Sequence, residues 1–316
     1  MGQSVARKIG NKSISEITFM KLPIVRGKYK ENYNLAHLTW FKVGGAADVL
    51  YKPVDEDDIA NFLKQNAGKL PVTIIGAGSN IIIRDRGIEG VVIKLGNGFT
   101  EIEILPQGDL LVGAACLNFN LAKFAQANGI KGFEFLVGIP GTVGGGVAMN
   151  AGSYGSEFKD IVKSVYALDK MGTQMQIPLE DIGFDYRKNS LPTNLIYTKV
   201  VFRADRGDPS EIKLKMQDIN EKRAATQPVT EKTSGSTFAN PEGKNAWELI
   251  DNAGLRGMKI GDAVISEKHC NFMINQGSAN AYDMEQLGEF VKNKVKDHSG
   301  IELKWEIKRI GRNEKI

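Results

Sequence analysis

The sequence predicts an α+β fold arranged in three packed units. Along most of the 316 residues, strand-like runs of aliphatic and β-branched residues alternate with segments whose apolar residues recur at helical spacing. This length suffices for two or three domains, and 42% of the residues are hydrophobic. With two cysteines and three histidines in the whole chain, we expect neither a disulfide framework nor a bound metal.

The first unit is predicted over residues 34–99, after a loosely attached extension at residues 1–33. The apolar face of its helix contains Ile59, Phe62 and Leu63. The predicted elements are a strand at 47–51, a helix opened by the acidic residues 55–58, and strands through 74–75 and at 90–95.

The second unit is predicted over residues 100–209. Gly129 is expected to end its helix, because glycine accepts the left-handed conformation found after helix termini. The predicted elements are strand-like runs at 102–104 and 110–112, a helix at 120–128, and strands at 162–169 and 197–203.

The third unit is predicted over residues 210–316. It begins with an amphipathic helix at 210–226 that ends before Pro228. Apolar and charged residues alternate through a closing strand at 301–310, so Glu306 is expected on the polar face of that strand. Between these elements we expect helices at 246–252 and 283–297.

The charge of the chain limits its partners. Forty-one basic and thirty-seven acidic side chains leave a net charge of +4, without a long basic block. No apolar run has the length of a signal peptide or a membrane span. We therefore expect a cytoplasmic protein that binds an anionic small molecule and neither nucleic acid nor a membrane. We also expect a monomer, although neither charge nor hydropathy fixes the oligomeric state.

Two glycine-rich loops carry the first functional signal. PVTIIGAGSN, at 71–80, is a short strand followed by an amide-rich turn, and GIPGTVGGGVAMNAGSYG, at 138–155, has seven glycines and no charged residue. Such loops bring backbone N–H groups close to anions. Neither fits the dinucleotide fingerprint or the phosphate-loop motif. We interpret them as two ends of a site for one long ligand, for which FAD is the candidate; ordinary tight turns are the alternative.

Six motifs in order strengthen this interpretation: TWFKVGGAA, IIGAGSN, GIPGTVGGGVAMNAGSYG, FDYRKNS, KTSGSTFANP and WEIKRIG. Together, from about residue 38 to residue 311, they resemble the UDP-N-acetylenolpyruvoylglucosamine reductases, also called UDP-N-acetylmuramate dehydrogenases. The resemblance implies a two-subdomain FAD-binding module of the vanillyl-alcohol-oxidase type and a C-terminal substrate-binding domain. The chain resembles the shorter, type II subgroup of this family most, because its second unit contains no substrate-clamping insertion.

The resemblance also implies a reaction. NADPH supplies the hydride with which FAD reduces the enolpyruvyl ether of UDP-N-acetylglucosamine to UDP-N-acetylmuramate for peptidoglycan synthesis. Noncovalent FAD is expected, because neither His nor Cys follows the first glycine loop. The alternatives are another flavin oxidase or dehydrogenase of the same superfamily and a non-catalytic protein that binds flavin or nucleotide sugar.

Three residues match the family's catalytic positions. Hydride addition to an enolpyruvyl group leaves negative charge beside the carboxylate, and Arg187 would stabilise that charge. Ser236 would donate the proton that quenches it, and Glu306 would lie beside the substrate carboxylate with a raised pKa. The alternatives are a surface ion pair for Arg187, a turn or helix cap for Ser236, and a solvated strand position for Glu306.

The remaining predicted site residues bind the cofactor or the nucleotide sugar. Tyr186, Lys232 and Asn240 are expected to bind substrate, and Lys222 and Arg223 are further candidates for neutralising its diphosphate. Thr226 stands where many relatives have a lysine, so the diphosphate contact is expected to have moved. The predicted FAD-binding residues are Gly76, Ala77, Gly78, Ser79, Asn80, Gly138, Ile139, Pro140, Thr142, Gly144, Gly145, Asn150 and Ala151.

Overall fold

A computed structural model describes residues 22–313 of the chain. Strands and helices alternate through these residues, which confirms the predicted α+β class. The helices are α1 (Glu56–Asn66), α2 (Asn118–Ala127), α3 (Val143–Ala148), α4 (Leu179–Ile182), α5 (Pro209–Thr226), α6 (Ala246–Asn252) and α7 (Ala281–Ser299). The strands are β1 (Lys28–Asn34), β2 (Ala46–Lys52), β3 (Val72–Ile75), β4 (Ile81–Ile83), β5 (Ile88–Lys94), β6 (Ile102–Ile104), β7 (Leu110–Gly113), β8 (Ile130–Lys131), β9 (Gly152–Ser153), β10 (Ser156–Glu157), β11 (Val162–Leu168), β12 (Gln174–Pro178), β13 (Ile196–Phe202), β14 (Asp205–Arg206), β15 (Phe238–Ala239), β16 (Lys259–Ile260), β17 (Ala263–Ile265), β18 (Met273–Asn275), β19 (Lys304–Trp305) and β20 (Lys308–Ile310).

The first sheet has the strand order β1-β2-β5-β3. β5 lies parallel to both β2 and β3, so these three strands end at the same edge of the sheet. α1 covers the sheet with Ile59, Phe62 and Leu63, as predicted. It begins where the Asp55 side chain accepts a hydrogen bond from the Asp58 N–H at 2.9 Å, an N-cap contact.

The chain before the predicted first unit contributes to this sheet. β1 pairs with β2 at every residue except Asn32. The backbone N–H groups of Arg26 and Gly27 donate to the carboxylate of buried Asp58 at 2.7 and 2.9 Å. The prediction of a loosely attached extension is therefore wrong for residues 26–33. Its first part, residues 1–21, lies outside the described residues.

The second sheet is antiparallel, with the strand order β12-β11-β13-β7-β6. α2 and α3 pack against it around a core that includes Phe158 and Phe202. α5 packs on the same core through Ile212, Met216 and Ile219. The helix predicted to open the third unit therefore belongs to the second core, since its apolar face contacts that core.

The third core combines α6, α7 and β16–β18 with residues from the start of the chain. Phe41, Val43 and Ile82 are buried within it, and β4 pairs in parallel with β20. The first and third units are therefore joined by a shared core and by backbone hydrogen bonds.

The predicted closing strand at 301–310 is wrong. The structure has two short strands there, β19 and β20, separated by Glu306 and Ile307. The Glu306 N–H donates to the Thr237 carbonyl at 2.9 Å. Only 13% of the Glu306 side chain is exposed, so its position on the polar face is buried, which contradicts the solvated alternative.

Among residues 22–313, no helix has both the length and the apolar composition needed to cross a bilayer.

Gly146 lies in α3, at the centre of the second glycine tract. A Cβ added at this position would overlap the ring of buried Phe158.

We expect Gly146→Ala to lower the free energy of unfolding by about 1–3 kcal/mol, because an extra methyl group would force the packed core to shift. The matched control is Gly96→Ala, where an added Cβ meets nothing within 4 Å and stability should change by less than about 0.5 kcal/mol. Urea unfolding of both variants measures the difference. Equal stability of Gly146→Ala and the unsubstituted protein would contradict this packing.

Candidate active site

A cavity of about 410 Å³ lies where the three cores meet. The first two units contribute the ends of both glycine loops and the turn that carries Arg187. The C-terminal end of α5, the loop containing Ser236, and Glu306 complete the wall. The structure therefore brings the three predicted catalytic residues into one cavity beside both loops.

The two glycine loops touch each other beside this cavity. The Ser79 hydroxyl donates to the Pro140 carbonyl at 2.9 Å. A Cβ added at Gly76 would lie 2.9 Å from Thr142 Oγ1, so the close approach of the loops requires glycine at this position. The two loops form one continuous surface, as expected if they hold one extended ligand.

The predicted cofactor residues divide into two groups. Those that line the cavity are Ser79, Asn80, Gly138, Ile139, Pro140 and Ala151. Those that do not line it are Gly76, Ala77, Gly78, Thr142, Gly144, Gly145 and Asn150. Three backbone N–H groups of the second group are already bonded within the protein: Gly144 donates to the Ala114 carbonyl at 2.8 Å, Gly145 to Thr142 Oγ1 at 3.3 Å, and Asn150 to the Val147 carbonyl at 3.2 Å.

Arg187 lies in a tight turn closed by mutual backbone hydrogen bonds between Asp185 and Lys188, at 3.0 and 3.2 Å. It adopts a left-handed conformation with φ of 57°, which is uncommon for a residue with a Cβ. The fully buried Asn150 side chain supports this turn by donating to the Asp185 carbonyl at 3.1 Å. Asn150 therefore positions the arginine turn from the second glycine loop.

Arg187 and Glu306 form an ion pair across the cavity wall. Arg187 Nε lies 3.3 Å from Glu306 Oε1, and the two side chains are 23% and 13% exposed. Another guanidinium nitrogen, Nη2, donates to the Gly152 carbonyl at 3.0 Å. Arg187 Nε forms no hydrogen bond with the described residues, so its contact with Glu306 is an ion pair without hydrogen-bond geometry.

Burial raises the pKa of Glu306, and the nearby positive charge of Arg187 partly opposes this shift. The carboxyl group therefore keeps its proton to a higher pH than an exposed glutamic acid. A protonated carboxyl group donates a hydrogen bond, which suits a position beside a substrate carboxylate.

The loop containing Ser236 is fixed to its neighbours by backbone hydrogen bonds. Buried Asn271 accepts from the Phe238 N–H at 3.0 Å through its side chain, and from the Thr237 N–H at 2.7 Å through its carbonyl. β15 follows the loop and pairs with β19 directly before Glu306. Ser236 and Glu306 are thus set in place by one short stretch of sheet.

Known proteins resemble this chain along most of its length. Residues 47–177 match an FAD binding domain, and residues 227–310 match the C-terminal domain of UDP-N-acetylenolpyruvoylglucosamine reductase. A UDP-N-acetylenolpyruvoylglucosamine reductase from Rickettsia peacockii (strain Rustic) is 63% identical over 292 residues, which cover 92% of this chain and 99% of that protein. The chain belongs to the UDP-N-acetylenolpyruvoylglucosamine reductase family.

Two further relatives agree with this assignment. The reductase from Rickettsia bellii (strain RML369-C) is 61% identical over 293 residues, covering 93% of this chain and 97% of that protein. The crystal structure of the reductase from Thermus caldophilus has a TM-score of 0.78 and 32% identity, covering 90% of this chain and 99% of that one. The predicted family is confirmed, as is the order of an FAD-binding domain followed by the reductase C-terminal domain.

The residues at the loops fit the FAD expected in this family. A Cβ at Gly138 would lie 2.8 Å from Ser153 Oγ and 3.0 Å from the Tyr154 ring, so the start of the second loop packs against its end only without a side chain. The adjoining cavity wall contains backbone and small polar groups from both loops. These are the groups that commonly line dinucleotide sites.

None of the three residues predicted to bind substrate lines the cavity. Tyr186 is 48% exposed, beneath the Arg187 guanidinium at 5.0 Å. Lys232 and Asn240 are exposed and do not line the cavity. Asn240 instead accepts a hydrogen bond from the Ala246 N–H at 2.9 Å.

Arg223 is the basic residue of α5 that faces the cavity. Its Nε donates to Gln227 Oε1 at 3.3 Å, and no carboxylate among the described residues forms an ion pair with it. Burial lowers its pKa, because the charged form loses solvation. Thr226, the position of the missing family lysine, also lines the cavity.

One functional candidate, Tyr154, was missed from the sequence. Its aromatic ring lines the cavity near Arg223, and burial raises its pKa. The available signal was its place at the end of the second glycine tract. That tract is dominated by residues without functional side chains, so the tyrosine did not stand out.

Proposed function

We propose that the chain is an FAD-dependent enzyme that reduces the enolpyruvyl ether of UDP-N-acetylglucosamine enolpyruvate to UDP-N-acetylmuramate, with NADPH as hydride donor. The observation that carries this proposal is the convergence of Arg187, Glu306 and Ser236 on one cavity beside both glycine loops. We further propose that the enzyme acts as a monomer in the cytoplasm.

Bound FAD supplies the hydride chemistry of this reaction, and the residues of the chain control charge and proton position. Arg187 binds the substrate carboxylate through its planar guanidinium, whose charge is permanent. It stabilises the negative charge that spreads into this carboxylate during reduction. The ion pair with Glu306, which holds the guanidinium at the cavity wall, supports this role.

Ser236 donates its hydroxyl proton to the carbon beside the carboxylate. A serine hydroxyl is a weak acid, but a carbanion is a much stronger base, so the transfer is favourable when the geometry is fixed. Glu306, in its protonated form, holds the other side of the carboxylate by a hydrogen bond. The hydrogen bond from its N–H to the Thr237 carbonyl keeps both groups at a constant separation.

We propose that residues of both N-terminal units bind FAD and that the C-terminal unit binds the nucleotide sugar. The predicted boundaries, 34–99, 100–209 and 210–316, are adjusted by two observations: β1 joins the first sheet, and α5 packs on the second core. Substrate then lies between α5 and the C-terminal unit, with the predicted substrate residues Tyr186 and Asn240 at its edge.

Arg223 is proposed as the principal partner of the substrate diphosphate. It lines the cavity, lacks a carboxylate partner among residues 22–313 and lies one helical turn before Thr226. The other candidates are more exposed: Lys222 pairs with Asp218 at 2.7 Å, and the Lys232 ammonium lies 3.4 Å from the Gly277 carbonyl.

We expect Arg223→Met to raise the KM for the nucleotide-sugar substrate about 10- to 100-fold with a small change in kcat, because it removes a charge-assisted contact that precedes the chemistry. Lys232→Met is the matched control, with an expected change below about threefold. Adding Thr226→Lys to Arg223→Met should recover part of the loss. A larger KM effect for Lys232→Met than for Arg223→Met would contradict the assignment.

The experiment that tests the function is NADPH oxidation by the purified holoenzyme with and without UDP-N-acetylglucosamine enolpyruvate. We expect oxidation to depend on this substrate and to yield equimolar UDP-N-acetylmuramate. Anaerobic bleaching of the flavin by a simple alcohol, with no substrate-dependent oxidation of NADPH, would indicate another flavin oxidoreductase. Binding of flavin with no turnover would indicate a non-catalytic protein.

A further inference from the structure

Three parallel strands of the first sheet end beside the first glycine loop. β2 ends at Lys52, β5 ends at Lys94, and β3 ends at Ile75, directly before Gly76. Ile75 and Lys94 are register partners. Because β2 and β5 run parallel as well, two lysines lie at the carboxyl edge of the sheet, where α/β proteins commonly bind ligands.

The Lys94 side chain is directed at the loop. Its ammonium group donates a hydrogen bond to the Gly76 carbonyl, and the residue is partly buried. No carboxylate among residues 22–313 forms an ion pair with Lys94, and burial followed by repulsion from Lys52 lowers the pKa of Lys94. This lysine therefore carries a charge that the described part of the chain leaves without a counter-ion.

A partly buried cation without a counter-ion is costly. Surface lysines avoid this cost through solvation, but Lys94 is directed inward, and its neighbouring charge, Lys52, has the same sign. An anion at this edge of the sheet would reduce both the cost of burying the Lys94 charge and the repulsion between Lys94 and Lys52. The adjacent loop contacts the second glycine loop through Gly76 and Thr142, so the ligand of these loops is the nearest candidate.

We propose that the Lys94 ammonium is the counter-ion of the FAD diphosphate, with Lys52 as a weaker, exposed partner. This role presupposes FAD as the cofactor and concerns its binding alone. Lys94 lies outside both glycine motifs, at the end of a strand whose other residues, apart from exposed Glu89, are buried. It anchors the phosphate-bearing part of FAD and takes no part in proton or hydride transfer.

The test is a titration of the apoprotein with FAD and, separately, with riboflavin, which lacks phosphate. Binding is measured by the quenching of flavin fluorescence. We expect Lys94→Gln to weaken FAD binding about 10- to 100-fold and to leave riboflavin binding within about twofold, because only a charged contact is lost. The FAD Kd of the unsubstituted protein should also rise more steeply with ionic strength than that of the variant. Lys64→Gln, at an exposed position of α1, is the matched control and should bind FAD normally.

A second measurement uses the unsubstituted protein and does not depend on the variant folding. FAD should protect Lys94 from acetylation, measured by mass spectrometry, whereas riboflavin should not. An unchanged FAD Kd in Lys94→Gln, an equal loss of riboflavin binding, or equal acetylation of Lys94 with and without FAD would each overturn the proposal. An increase confined to the KM for NADPH would assign Lys94 to the hydride donor and overturn it too. Because no enolpyruvyl substrate is present in these titrations, failure of the proposed reaction would leave their result unchanged.

Discussion

Ser236→Ala is expected to leave the bleaching of the flavin band by NADPH within about twofold while slowing its return on addition of the enolpyruvyl substrate by about 10²- to 10⁴-fold. The reason is that the hydroxyl is required only when the substrate accepts its proton. Anaerobic stopped-flow absorbance separates the two half-reactions.

Ser234→Ala is the matched control for this variant. Ser234 lines the same cavity two residues earlier, and its buried hydroxyl has no hydrogen-bond partner among the described residues. Its removal should change either half-reaction by less than about threefold, because no hydrogen bond within the protein is lost. Equal loss of both half-reactions in Ser236→Ala would indicate a structural role for Ser236.

Arg187→Met is expected to lower kcat/KM for the enolpyruvyl substrate by about 10³-fold, because it removes the positive charge opposite the developing anion. Arg187→Lys should recover only part of this loss, since an ammonium lacks the planar guanidinium fork. Lys188→Met, at the exposed neighbour that pairs with Asp185, is the control and should retain nearly full activity. Activity of Arg187→Met within about tenfold of the unsubstituted enzyme would contradict the role assigned to the arginine.

The same variant makes a prediction about pH. Arg187 lowers a Glu306 pKa that burial raises, so removing the arginine should raise that pKa further. If protonated Glu306 holds the substrate, the substrate-dependent rate falls as the pH rises through this pKa, and the fall should occur at higher pH in Arg187→Met. Glu306→Gln should abolish this limb of the pH profile, since glutamine does not titrate.

The sequence was sufficient to predict the α+β class, most of the elements and the family, because these depend on local periodicity and on ordered motifs. Glu306 was harder to interpret. Alternation placed Glu306 on the polar face of the segment but left open whether that face is solvated, because its contact with Arg187 depends on the fold. The side chain is only 13% exposed, which contradicts the solvated alternative, and its pKa is raised as predicted.

Packing between units limited the other predictions. The amphipathic pattern of α5 revealed an apolar face through Ile212, Met216 and Ile219, but not which core it contacts. In the same way, Arg223 and Lys232 are both basic residues near Pro228, and only the fold directs one of them into the cavity. Lys94 belongs to no motif, so its contact with the first glycine loop required the register of β3 and β5.

The most direct test of the central claim is a two-step anaerobic experiment on the purified holoenzyme. NADPH is first added until the flavin band is bleached, and UDP-N-acetylglucosamine enolpyruvate is then added. We predict that the band returns and that UDP-N-acetylmuramate forms in an amount equal to the flavin reoxidised. A flavin that bleaches with NADPH and stays bleached when this substrate is added would contradict the proposed reaction.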